Sequence, residues 1–224
     1  MITLHSGLVV RQPLVEELIP MFEAATGDRI VATFEPTTVL LDKIAGGERP
    51  DLFLGVSASA HDLADQGILD AETIADIAVS AVGFARLPDT RAPSADTEEE
   101  FLQYLCDSRV AYTLSGASGI HFMKVLRERN LLDVIDERAV RFRAGLTAEA
   151  VLDGRADIAI QQVSELRSVI GAHVVAPIPH ALQSYGRFAI GVGVSAPESA
   201  RAFAATLTEA RAQAAFASVG LSAP

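Results

Sequence analysis

The stretch Tyr112-Thr-Leu-Ser-Gly-Ala-Ser-Gly-Ile-His-Phe-Met-Lys-Val-Leu126 reads as a short strand, a small-residue loop and an amphipathic helix. The loop is Ser115, Gly116, Ala117, Ser118 and Gly119. Without bulky side chains at a helix N-terminus, backbone N–H groups are left to point at an anion. The two serines add hydroxyl donors. The expectation is that this loop holds one end of a small negatively charged ligand. It lacks the lysine of a phosphate-binding P-loop, and the chain carries no nucleophile elbow.

Working outward, Arg109–Thr113 is the strand before the loop and Gly119–Arg129 the helix after it. Ala139–Phe142, Thr147–Asp153 and Ile158–Ile160 continue as strand, helix and strand, followed by Gln161-Gln162-Val-Ser-Glu165. The N-terminal part has the same rhythm. Ile2–His5 is a strand ending in Ser6-Gly7, and Arg11–Thr26 is a helix with Leu14, Val15, Leu18, Ile19 and Phe22 at helical spacing. Arg29–Phe34 alternates like a strand, Pro36-Thr37-Thr38 opens a helix, and Asp51–Gly55 is an apolar run suited to a buried parallel strand. A helix over about Ser59–Gln66, a strand at Ile77–Ala85, a surface connection at 87–97, a helix at Thr97–Leu105, a strand at Arg187–Val194 and helices within Pro197–Val219 complete the reading.

Repeated β-α-β order predicts an open, parallel sheet covered by helices. Ligands of such sheets lie beyond the carboxyl ends of the strands. Ser6-Gly7, Thr37-Thr38 and Ser57 with Ser59 all fall there. Any one of these is an ordinary helix N-cap; three on one edge, with the Ser115–Gly119 loop as a fourth, point to a ligand. The fold expected is α/β, with two Rossmann-like lobes of mixed, mostly parallel sheets. Lobe I takes 1–80 plus 187–224 and lobe II takes 81–186. Strands near 79–85 and 185–192 would form a hinge beside an interlobe cleft.

Composition narrows the function. The net charge of −11 and the absence of a basic face exclude nucleic acid as a partner. Cys106 is the only cysteine, so no intrachain disulfide forms, and its apolar neighbours mark it as an inert thiol. No apolar run is long enough for a membrane span. The histidines show no metal-ligand spacing, and neither a metal nor a cofactor is expected. The chain enters its first strand directly from Met1. The expected location is therefore periplasmic where a signal peptide has been removed and cytoplasmic otherwise.

Several segments in order resemble the type II periplasmic binding protein superfamily, and within it the molybdate-binding (ModA-like) solute-binding proteins. They are the Ser6-Gly7 strand end, Phe22-Glu-Ala-Ala-Thr-Gly27, the Thr37-Thr38 helix start, Ile44-Ala-Gly-Gly47, Asp51-Leu-Phe-Leu54, the Ser115–Gly119 loop, Val151-Leu-Asp-Gly-Arg-Ala-Asp-Ile-Ala-Ile160 and a C-terminal Ala-Phe-Ala-Ser-Val-Gly-Leu. The resemblance implies two lobes closing on a small anionic ligand through hydroxyls and backbone N–H groups, without a metal or an arginine clamp. It also implies an ABC transporter permease as partner. Carried over by position, the candidates are Ser6, Thr37 or Thr38, Ala117 or Ser118, and the segment Gln161-Gln162; with Gly7 and the rest of the loop, Ser115, Gly116 and Gly119, they make up the expected ligand-binding set. Molybdate binders place an aliphatic residue and a tyrosine where this chain has Gln161 and Gln162. A glutamine amide offers two donors and an acceptor, which suits a carboxylate with several separated oxygens. Gln-Gln-x-Ser-Glu followed by Pro177-Ile-Pro179 and Gln183 is similar to an aconitate-isomerase-like subgroup. For such an enzyme, running an allylic proton shift, the acid–base candidates are Glu165 and His121, then His5 and Glu35.

Overall fold

The computed structural model describes residues 1–94 and 97–224. Two positions of the connection expected at 87–97 lie outside these residues. The chain forms two compact units, Met1–Ser80 with Gly186–Pro224, and Ala81–Tyr185.

In the first unit, β1 (Ile2–Ser6) lies between β2 (Ile30–Phe34) and β3 (Leu52–Val56), parallel to both. β9 (Tyr185–Gly193) pairs antiparallel with β3, and β4 (Leu69–Arg86) follows β9. Side chains alternate across this sheet. Leu4, Leu52 and Ile190 pack on one face with Phe203 and Phe216 from the C-terminal helices, Glu198–Thr206 and Ala210–Ser218. Phe53 and Ala189 pack on the other with Leu40 and Ile44 of the Thr37–Ala45 helix. The first helical run, 11–26, widens to π geometry at Leu14–Leu18, just before Pro20. Proline has no N–H for a regular turn and clashes with the carbonyl four residues back, and a wider turn relieves both. Gly27, at φ 77°, ends the run as a left-handed cap.

In the second unit, β5 (Val110–Thr113) is parallel to β6 (Val140–Phe142) and β7 (Ile158–Gln162). The 82–86 end of β4 is antiparallel to β7 and β8 (Val174–Pro177). Ile158 and Ile160 face a core with Tyr112, Phe122 and Leu126, whereas Ala159 faces a second core with Ala111, Val151 and Leu166. The pattern of two continues past Ile160, because Gln161 and Gln162 belong to β7 rather than to a loop. Adjacent strand residues point to opposite faces, so the two glutamines have different surroundings.

Three further boundaries differ from expectation. β4 begins at Leu69, eight residues before the predicted start, because its first half is mostly partly exposed and lacks an apolar stripe. The Ser57–Asp65 helix starts two residues early, as does the Ala117–Glu128 helix. Ala117, Ser118 and Gly119 therefore form a helical first turn, and the loop proper shrinks to Leu114–Gly116.

Candidate functional site

In the first unit, Ser6, Gly7, Thr37 and Ser57 lie at the carboxyl ends of β1 and β3, each hydrogen-bonded within the chain. Ser6 is fully buried, and its hydroxyl donates to the Gly7 carbonyl at 3.1 Å. The Gly7 N–H donates to Leu54 O at 2.7 Å. A Cβ on Gly7 would lie 4.0 Å from Thr37 Oγ1, which accepts from the Val56 N–H at 3.3 Å. Ser57, next along, donates to Asp76 Oδ1 at 2.6 Å. Thr37 and Ser57 each open a nine-residue helix whose cap residue, Pro36 or Val56, supplies no side-chain bond. Thr38 is exposed in the first turn beside Thr37. Glu35 reaches the edge by its main chain, donating to Ser6 O at 3.1 Å. His5 points to the opposite face, where its Nε2 meets Glu48 at 3.1 Å. Burial pulls the His5 pKa below its ordinary value, opposed by Glu48 and reinforced by Lys43.

In the second unit, Gly116 is the N-cap of the Ala117–Glu128 helix and gives it no side-chain bond. The first-turn N–H groups are thus not satisfied by a cap side chain. Ser118 lies buried in that turn, and the Ser115 hydroxyl bonds to the Arg143 carbonyl. Two glycines allow the turn to sit on the end of β5. A Cβ on Gly119 would fall 1.7 Å from Thr113 O, and one on Gly116 would fall 2.7 Å from Thr113 Oγ1. Thr113 Oγ1 is itself buried and makes no hydrogen bond, as are Gln162 Oε1 and Ser164 Oγ. Each such orphan costs about 1–3 kcal/mol.

Gln161 is held by its own unit. Its amide oxygen accepts from the Thr147 N–H at 2.7 Å and the Thr147 hydroxyl at 2.9 Å. Its nitrogen donates to Gly145 O at 2.8 Å and to the Glu165 carboxylate. With both acceptor positions and both donors engaged, it organises the 145–147 turn and has no hydrogen left for a ligand. Gln162 keeps that capacity.

Glu165 is the third residue of the short Val163–Arg167 helix, capped by Gln162. Its carboxylate accepts from the Gln162 backbone N–H, the return half of a capping box. Glu165 is partly exposed as a residue, yet enough protein surrounds its carboxyl that desolvation pushes the pKa up to about 7, against the hydrogen bonds from Gln162 and Gln161. His121, in the second turn of its helix, is engaged at Nε2 with the Leu182 carbonyl at 2.8 Å. Thr113 and Ser164, whose buried hydroxyls have no partner, were not among the expected residues, although each lies inside a stretch already singled out, Tyr112–Leu126 and Gln161–Glu165.

Among the described residues, no group of three or more His, Cys, Asp and Glu is placed to hold a metal ion. Among them, too, no helix is long and apolar enough to cross a membrane.

The model of the family described as bacterial extracellular solute-binding protein matches residues 8–222. The chain belongs to that family. Among the relatives of this solute-binding protein is an aconitate isomerase from a Pseudomonas species, 28% identical over 217 residues, covering 92% of this chain and 82% of the relative. Its structure is similar to the periplasmic molybdate-binding protein of Azotobacter vinelandii, with a TM-score of 0.83 at 18% identity over the whole of both chains. It is also similar to the sulfate-binding protein of Mycobacterium tuberculosis H37Rv, with a TM-score of 0.77 at 18% identity over 98% of this chain and 85% of that one. The fold is therefore the ModA-like, type II binding-protein fold, and a shared fold does not by itself fix the ligand.

Proposed function

We propose that this solute-binding protein takes a small organic carboxylate and delivers it to an ABC transporter permease. The observation that carries the reading is the helix start at Gly116. It has no capping side chain, two glycines pressed against Thr113, and the Thr113 hydroxyl buried without a partner beneath it. Uncapped N–H groups and a helix dipole favour an anion there. The neighbouring groups favour a carboxylate over a tetrahedral oxyanion. Gln162 brings an acceptor as well as donors, and Glu165 carries a carboxyl that can itself be protonated near neutral pH. A fully ionised oxyanion only accepts, whereas an organic acid can also donate. Ser118 and Gln162 are the proposed contacts in the second unit; in the first it is Thr37, whose hydroxyl accepts from Val56 N–H and keeps its hydrogen to donate.

Calorimetric titration with molybdate, sulfate, citrate and tricarballylate tests this. Binding of the carboxylates with weak or no binding of the oxyanions is expected. A clear preference for molybdate or sulfate would overturn the carboxylate assignment, and a Ser118→Ala, Gln162→Ala double variant as tight as wild type would show the contacts to be misplaced.

The raised pKa of Glu165, together with the Pseudomonas relative, favours a second reading as an isomerase of an unsaturated tricarboxylate. Glu165 would take a proton from a methylene carbon, the double bond would shift by one position, and the proton would return at the far alkene carbon. No oxidant or metal is needed. With aconitate in deuterated water, deuterium uptake and isomer interconversion are expected, and Glu165→Gln should slow both by about 10²–10⁴-fold. No exchange and no isomer change would end the enzyme reading.

A further inference from the structure

The first unit carries a cation at the same sheet edge that the hydroxyls occupy. β3 pairs with β9 from Leu52↔Val192 to Val56↔Phe188. Arg187 is therefore level with Ser57, one residue beyond the paired end of β3. Its side chain is 60% exposed, and its partner is Asp76, at 3.5 Å from Nη1 to Oδ2. The other oxygen of Asp76 is held by Ser57 at 2.6 Å. A well-seated guanidinium–carboxylate pair closes to about 2.7–2.9 Å. Arg109, Arg155 and Arg201 do so, each at 2.7 Å from its own carboxylate. Arg187 does not, so most of its five donors are not spent on Asp76.

We propose that Arg187 is a second anion-binding element of this edge, receiving one carboxylate of a di- or tricarboxylate whose other carboxylate lies at Thr37. The inference rests on the carboxylate reading above and deepens it by naming the ligand as a polycarboxylate on a short carbon chain. Successive strands lie about 4.8 Å apart, so the edge from β1 across β3 to β9 spans about 10 Å. That is too long for a single compact oxyanion and right for carboxylates separated by a few carbons once the arginine side chain spans part of the gap. Thr37 accepts from the Val56 N–H, and the next residue, Ser57, holds Asp76, the carboxylate beside Arg187. Family resemblance alone implies no arginine; this one comes from the geometry.

The test is calorimetry with tricarballylate, which has three carboxylates and no double bond to react, and with propionate as the single-carboxylate probe. Wild type should bind tricarballylate more tightly than propionate. Arg187→Gln should weaken tricarballylate by about tenfold to a hundredfold, the worth of a charge-assisted bond, and leave propionate unchanged. Arg187→Lys should recover part of the loss. Arg211→Gln removes the same charge from a surface pair with Glu17 at 2.9 Å in the same unit, and should change neither. Tricarballylate binding equally to Arg187→Gln and wild type would overturn the role of Arg187 while leaving the carboxylate reading intact. Failure of wild type to bind either probe would overturn that reading and this inference with it.

Discussion

The two units build their sheet edges from the same parts and finish them differently. In the first unit the hydroxyls of Ser6, Thr37 and Ser57 each have a partner inside the chain: Ser6 with Gly7 O, Thr37 with the Val56 N–H, Ser57 with Asp76. In the second, Thr113 Oγ1, Gln162 Oε1 and Ser164 Oγ are buried with none. The orphans that the first unit does hold, His5 Nδ1 and Ser80 Oγ, are not among its edge hydroxyls. The first edge is thus set before a ligand arrives, while the second stores unmet hydrogen-bonding capacity that a ligand can satisfy. Preorganised groups lower the cost of ordering on binding, and unmet ones raise the gain.

The glycines test this contrast most severely. A Cβ on Gly119 would fall 1.7 Å from a backbone carbonyl, whereas one on Gly7 would meet nothing nearer than 3.7 Å. Gly119→Ala should therefore cost more than about 4 kcal/mol, or prevent the second unit from folding, while Gly7→Ala should stay within about 1 kcal/mol. Urea denaturation followed by circular dichroism measures both. Equal costs would mean that the Thr113–Gly119 contact is not the constraint that shapes the helix start.

What the sequence disclosed follows from which interactions are local. The strand cores Leu52–Val56 and Ile158–Ile160 are short apolar runs bounded by small residues, and their order alone predicts the sheet. The helix starts were read late because Gly116 and Val56 cap without a side chain, so Ser118 and Ser57 read as loop residues. Gln161 and Gln162 are equivalent only for a strand that stops at Ile160, whereas β7 runs through both. Carried two residues further, period two sends them to opposite faces, one to the 145–147 turn and one to the orphaned position. Arg187 is legible only as the start of a strand, not as the anion-binding group proposed above. Its placement depends on pairing with β3 and on Asp76, both far away in sequence.

The next largest effect concerns charge at the second edge. Glu165 ionises near pH 7 in the folded protein and near 4.5 when unconstrained. Between these values the folded state holds a proton that the unfolded state has released, so stability falls as pH rises through this window and the loss is complete above pH 7. Relative to Glu165→Gln, wild type should lose on the order of 3 kcal/mol between pH 4.5 and pH 8. Parallel denaturation series at the two pH values measure this. Identical pH slopes for the two proteins would show that the carboxyl is solvated, and the base proposed for the isomerase reading would lose its physical footing.

The smallest effect discriminates most finely between the edges, because it predicts opposite signs for the same chemical change. Ser57→Ala removes a hydroxyl that donates to Asp76 at 2.6 Å and should destabilise the ligand-free protein by about 1–2 kcal/mol. Ser164→Ala removes a buried hydroxyl with no partner, and should be neutral or stabilising by up to about 1 kcal/mol, since the unfolded chain no longer gives up a hydrated group on burial. Saturation with a bound carboxylate should reverse the second result if Ser164 is one of the groups that a ligand satisfies. A Ser164→Ala loss as large as that of Ser57→Ala in the ligand-free protein would mean the hydroxyl already has a partner, and the second edge would then be as preset as the first.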